Sequence, residues 1–167
     1  MTLYYEDVPA DDNEAPQLPP LLNAVAVPVG HDVHAKAIAL AAASDVGTVF
    51  YSEAVDRMHI AVVLGPEVAV ADASQMLFAM MIAVGDAVGA LAPPEVAVSY
   101  QMPGYVLLNQ GRAGVVRMTV DPAAGADEVP DWLVVSAELL IVEDDAEAER
   151  LRQNSAHEHT SLSEEGG

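Results

Sequence analysis

A chain of 167 residues with 26 acids, six bases and a net charge of −20 has too few cations to neutralise a nucleic-acid backbone or an anionic membrane surface, which argues against both as partners. The length fits one domain with tails. With no cysteine in the sequence, a disulfide framework, a thiolate metal site and a cysteine nucleophile are all excluded.

Residues 1–17 hold Glu6, Asp7, Asp11, Asp12 and Glu14 among proline and asparagine without a hydrophobic period, and read as a disordered acidic leader. They carry acids where a secretory signal would place a basic patch and an apolar stretch. No uncharged apolar run reaches the ~20 residues that a membrane span needs, so a soluble, cytoplasmic protein is expected. The folded domain is expected over 18–142, and 143–167 as an acidic tail, partly helical or disordered.

Within the domain, the β-branched run 23–29 predicts a strand ending at Gly30, and Asp32 is placed to cap a helix over 33–43. Two apolar runs, 47–52 and 58–64, flank a short polar loop and should pair as an antiparallel hairpin. Asp72 or Ser74 can cap a long helix to Leu91, with Met76, Met80, Ile82, Ala83, Ala87 and Leu91 as a wide apolar face. Four strands follow, over 96–100, 105–108, 112–120 and 132–142. Asn109-Gln110-Gly111 suggests a three-residue hairpin with glycine at the positive-φ position. This order fits an α+β domain with a mixed, mainly antiparallel sheet and helices packed on one side. The acidic loop 121–131 is a candidate contact or lid.

Several constellations are explained by ordinary structure. His31-Asp32-x-His34 offers two imidazoles and a carboxylate at a helix start, but lacks an assignable third or fourth ligand, so an N-cap with two surface histidines is expected and no metal site. His157-x-His159 falls in the tail. His59 alternates with apolar neighbours and should face solvent or a pocket. Glu53 with Asp56, and Asp127 with Asp131, are carboxylate pairs that arise by chance in so acidic a chain. Neither a nucleophile elbow, a Walker A loop nor a Gly-x-Gly-x-x-Gly fingerprint is present.

The stretch Ala92-Pro93-Pro94-Glu95-Val96, then Met102-Pro103-Gly104-Tyr105-Val106-Leu107-Leu108-Asn109-Gln110-Gly111-Arg112-Ala113-Gly114-Val115, then Asp127-Glu128-Val129-Pro130-Asp131-Trp132-Leu133-Val134, resembles the biotin/lipoate protein ligase family in its short bacterial ligase-like branch. Leu18-Pro19-Pro20-Leu21, Asp56-Arg57-Met58 and Ala61-Val62-Val63-Leu64 extend the likeness across 18–142. The resemblance implies a mixed sheet flanked by helices. It also implies a Lys-Trp-Pro-Asn-Asp type motif, which here becomes Gln101-Met102-Pro103-Gly104-Tyr105, and a catalytic lysine, which falls at or beside Gly111 with Arg112 the nearest base. The Arg/Gly-rich loop that closes over the acyl adenylate becomes Ser52-Glu53-Ala54-Val55-Asp56-Arg57.

Adenylation must neutralise triphosphate charge with Lys, Arg and Mg²⁺, and between 18 and 142 four bases face thirteen acids. A planar guanidinium that stays protonated does not replace a lysine. The expectation is therefore a ligase relative without ordinary ligase activity, binding either a protein partner, with a basic one suiting its acidic surface, or a small ligand in the old pocket. Residues expected at that pocket are Arg57, Tyr100, Pro103, Tyr105, Gly111, Arg112, Gly114 and Trp132. A homodimer through edge strands is a further expectation. The alternative is a divergent ligase or acyltransferase handling biotin, lipoate or octanoate around Arg57, Arg112 and Arg117, with Arg112 the catalytic candidate. Biotin, lipoate and ATP enter only in that case; otherwise no cofactor is expected.

Overall fold

The computed structural model describes residues 16–142 and 159–166. The expected leader, apart from its last two residues, and the expected tail over 143–158 lie outside them. In chain order the elements are β1 (Asn23–Val27), α1 (Val33–Leu40) continued by a 3₁₀ turn (Ala41–Ala43), β2 (Thr48–Ser52), β3 (Arg57–Leu64), α2 (Val70–Ala73), α3 (Met76–Leu91), β4 (Val98–Gln101), β5 (Tyr105–Leu108), β6 (Gly111–Val120) and β7 (Leu133–Leu140). One seven-stranded sheet runs β1-β2-β3-β7-β6-β5-β4. Only β1 with β2 is parallel, and β1 and β4 form the edges, so the mixed, mainly antiparallel α+β architecture is as expected.

The expectation that both helices pack on one side is corrected. In β3, Met58, Ile60, Val62 and Leu64 pack with α3, while Ala61 and Val63 pack with α1. In β7, Leu133, Val135, Ala137 and Leu139 go to α3, and Val134 goes to α1. Because side chains alternate across a strand, α1 and α3 cover opposite faces. The near-continuous apolar runs of β3 and β7 are what a strand buried on both faces requires. On the α1 face the cover is partial, for α1 is only eight residues long, and charged residues of β3, β6 and β7 emerge beyond its N-terminus.

The apolar face read for α3 is also corrected. Met81, Val84, Gly85 and Val88 are buried, whereas Met76, Ile82 and Leu91 are exposed. In a helix that is apolar nearly all round, periodicity cannot show which stripe faces inward. Val70–Leu91 is long and apolar enough by length and composition to cross a membrane, with mean hydropathy 1.5, yet its buried stripe packs against the sheet. Neither Asp72 nor Ser74 caps α3: Gln75 holds the cap position without a side-chain bond, and the Ser74 hydroxyl donates to the Ala71 carbonyl at 2.6 Å.

The β5–β6 connection has two residues. Asn109 and Gln110 take positive φ, 46° and 76°, and Leu108 pairs with Gly111. Gly111 thus begins the strand, and what it requires is space, since a Cβ there would lie 2.9 Å from Cβ of Thr160. Thr160 belongs to the last described segment, 159–166, which packs on the domain where a partly helical or disordered tail is expected. His159 bridges to Arg112, Leu162 N–H donates to the Leu140 carbonyl at 3.0 Å, and Ser161 and Leu162 are buried. The loop 121–131 is pinned to α2, whose Val70 and Ala71 N–H groups donate to the Glu128 and Ala126 carbonyls at 2.9 and 3.0 Å.

Candidate functional site

Two adjoining cavities open on the α1 face. The larger, about 470 Å³, lies between the β1–α1 turn, the β2–β3 loop and the sheet, and is walled by His31, Asp32, Asp56, His59, Arg117 and Glu138 among others. The smaller, about 210 Å³, is lined mainly by apolar groups of β6 and β7, with Tyr105, Arg112 and His159 at its margin. Arg57 and Glu138 line both, so their ion pair is the shared wall.

Local structure explains how the charged groups meet. Gly30 turns the chain at φ 87°, which places Asp32 at the N-cap of α1, where its Oδ1 accepts from Ala35 N–H at 3.1 Å. This cap is as expected. The same carboxylate reaches the sheet, with Oδ2 3.2 Å from Arg117 Nη1. Glu138 stands on the central strand β7, and each of its oxygens takes one guanidinium: Oε1 lies 3.1 Å from Arg57 Nη1 and Oε2 lies 3.5 Å from Arg117 Nη2. Arg57 is held further by Asp56 at 2.8 Å. Arg112 donates from Nε and Nη2 to Gln101 Oε1 at 3.2 and 2.9 Å and lies 3.9 Å over the Tyr105 ring, a cation–π contact.

The histidines differ from a surface pair. His31 is exposed, but His34 is buried, with Nδ1 2.7 Å from Ser136 Oγ and Nε2 3.0 Å from Thr119 Oγ1. Pointing inward, it cannot join His31 around an ion. His59 faces the larger cavity and is itself buried, with Nε2 3.4 Å from Arg117 Nη2. Burial first, then the charge of Arg117, pushes the His34 pKa below the usual histidine value. His59 moves the same way through burial, with Glu138 pulling against it and Arg117 adding to it. For Asp32, burial raises the pKa, but the Ala35 N–H and Arg117 outweigh it, and the carboxyl stays below its ordinary range. The floor of the cleft therefore sets the His59 imidazole, its pKa lowered, among the carboxylates of Asp32 and Glu138 and the guanidiniums of Arg57 and Arg117. The Nε of Arg117 is buried without a hydrogen-bond partner among the described residues.

Of the residues expected at the pocket, Arg57, Tyr105, Arg112 and Gly114 are brought together. The other four are elsewhere. Tyr100 is on the α3 face, its ring packed at Gly85. Pro103 follows a cis peptide bond in the exposed β4–β5 turn. Gly111 backs onto Thr160, and Trp132 packs with the core under α1, beside Asp131 and Val46. Glu138 is a site residue not expected from the sequence, where its single acidic side chain in the otherwise uncharged strand β7 was the available signal. Asp32 is more than the expected cap, and Asp56 is more than a chance carboxylate.

The model of the Biotin/lipoate A/B protein ligase family matches residues 18–167. Among solved structures, a biotin protein ligase-like protein of unknown function from Silicibacter sp. TM1040 is similar at 34% identity and TM-score 0.78, over 90% of this chain and 63% of that one. The biotin protein ligase of Aquifex aeolicus is similar at 15% identity and TM-score 0.64, over 88% and 61%. That of Leishmania major, in complex with biotin, is similar at 15% identity and TM-score 0.56, over 88% and 64%. The chain thus spans less than two thirds of each of these proteins, and the last two likenesses concern the fold alone. No protein of curated function matches the sequence.

Proposed function

We infer that this chain, which belongs to the biotin/lipoate A/B protein ligase family, has given up adenylation and acts by binding a small ligand in the cleft of the α1 face. One observation carries the inference: the arginines of the cleft already hold partners inside the protein. Arg57 is paired with Asp56 and Glu138, Arg117 with Asp32 and Glu138, and Arg112 with Gln101 and the Tyr105 ring. Three guanidiniums against three carboxylates leave little net positive charge for a triphosphate, whose neutralisation is the main electrostatic task of adenylation. The sequence has a single lysine, Lys36, on the exposed side of α1, so β5 and β6 supply no lysine under any alignment.

The acidic surface suits a basic protein partner, and the exposed edges β1 and β4 suit pairing of two copies; both, with a cytoplasmic location, belong to this proposal. A second reading is favoured by the meeting of Arg57, Arg112 and Arg117 around adjoining cavities, which is the arrangement a divergent ligase or acyltransferase would use. Thermal shift and calorimetry with ATP, biotin, lipoate and their acyl adenylates separate the two, because a specific ligand stabilises the native state by mass action. The binding reading expects no stabilisation by ATP or the adenylates at millimolar concentration. A saturable shift with an adenylate would contradict it.

A further inference from the structure

We propose that Glu138 is a built-in counter-anion that closes the cleft to carboxylates and phosphates and reserves it for uncharged ligands. The inference rests on the cleft being the ligand site, as proposed above, and concerns which ligands it accepts. Three neighbouring strands contribute to the arrangement. Arg57 is on β3, Glu138 on β7 and Arg117 on β6, all on the open face, and β7 runs between the other two. The carboxylate spans the gap with one oxygen for each guanidinium, at 3.1 and 3.5 Å. Two guanidiniums facing one gap form a ready anion site, and here an anion of the protein fills it.

A carboxylate tethered in this way competes as an intramolecular ligand at high effective concentration. A free carboxylate or phosphate must displace it, and would then leave Glu138 without its partners beside an incoming negative charge. An uncharged molecule meets no such opposition. It finds His59, His31 and Ser52 as hydrogen-bonding groups in the larger cavity, and Ala113, Val115 and Leu140 as an apolar wall in the smaller. The chemistry fits a neutral ligand with a polar end and a short hydrocarbon extension, the extension passing the Arg57–Glu138 wall.

The test is calorimetry of the full chain and its Glu138→Gln variant with three probes: octanoate, its neutral counterpart octanamide, and inorganic pyrophosphate. The variant keeps side-chain size while removing the charge. Wild type is expected to bind octanamide more tightly than octanoate. Glu138→Gln should gain about tenfold or more for octanoate and pyrophosphate, the scale of one charge-assisted hydrogen bond, and adding Arg117→Gln should remove that gain. Should Glu138→Gln fail to fold, Glu138→Ser is expected to behave likewise. Equal anion affinity in wild type and the folded variant overturns the proposal, as does wild-type preference for octanoate over octanamide. These results are independent of adenylation: ATP-dependent turnover by wild type would overturn the binding reading, whereas an unchanged anion affinity overturns only the role of Glu138.

Discussion

The carboxylate of Asp32 faces two ways, with Oδ1 3.1 Å from the Ala35 N–H that it caps and Oδ2 3.2 Å from Nη1 of Arg117 on β6. Helix capping and cleft assembly therefore share one side chain. Loss of an N-cap costs about 1 kcal/mol, and an ion pair exposed to this degree adds no more than about 1 kcal/mol. Asp32→Ala is expected to lower stability in urea unfolding by about 1–2 kcal/mol. Asp32→Asn, which keeps the cap and loses the charge, should lose less than half as much. Equal losses would show that the cap contributes nothing.

His34 gives the protein an acid-sensitive point. Its folded pKa lies below the usual 6.5 through burial and the nearby Arg117, so between the two values the unfolded chain binds the proton and the folded one does not. Stability from this group is complete above the unfolded value and is lost as pH falls toward the folded one, at a slope of up to about 1.4 kcal/mol per pH unit for one proton. The urea midpoint of wild type should therefore fall more steeply from pH 7 to 5.5 than that of His34→Gln. The two proteins differ at this one titratable side chain, so the difference in slope reports the histidine. Identical slopes would assign the acid response to other groups, with His59 the first to examine.

Leu162 is 6% exposed and packs into the core on the α3 face, far along the chain from the strands it covers. Leu162→Ala is expected to cost about 2–4 kcal/mol, as truncation of a buried leucine does. Thermal unfolding checks this. A loss under about 0.5 kcal/mol, the scale of a surface substitution, would mean that the segment after His159 adds little to the domain.

Alternation and turn chemistry made most of the strands legible in the sequence, as well as the Asp32 cap and the β2–β3 hairpin. What remained hidden has physical causes. The division of α1 and α3 between opposite faces follows from β3 and β7 being apolar on both sides, which reads in sequence only as a long apolar run. Tyr100 and Tyr105 are five residues apart, yet they face opposite sides of the sheet, because the turn around Gly104 returns the chain in register Tyr100↔Val106 and Gln101↔Tyr105. Glu138 became a site residue only when β7 took its place between β3 and β6, a neighbourhood set by pairing at long range. His34 looked like a surface residue because burial of an imidazole depends on Ser136 and Thr119, 102 and 85 residues away.

The most direct test of the central claim is ATP–pyrophosphate exchange by the purified full chain with biotin, lipoate and octanoate, each with Mg²⁺. With the guanidiniums of the cleft paired internally and its lone lysine on α1, exchange should not rise above the rate without protein for any of the three acids. Acid-dependent exchange that disappears in Arg112→Ala would contradict the account and establish the chain as a working, rewired ligase.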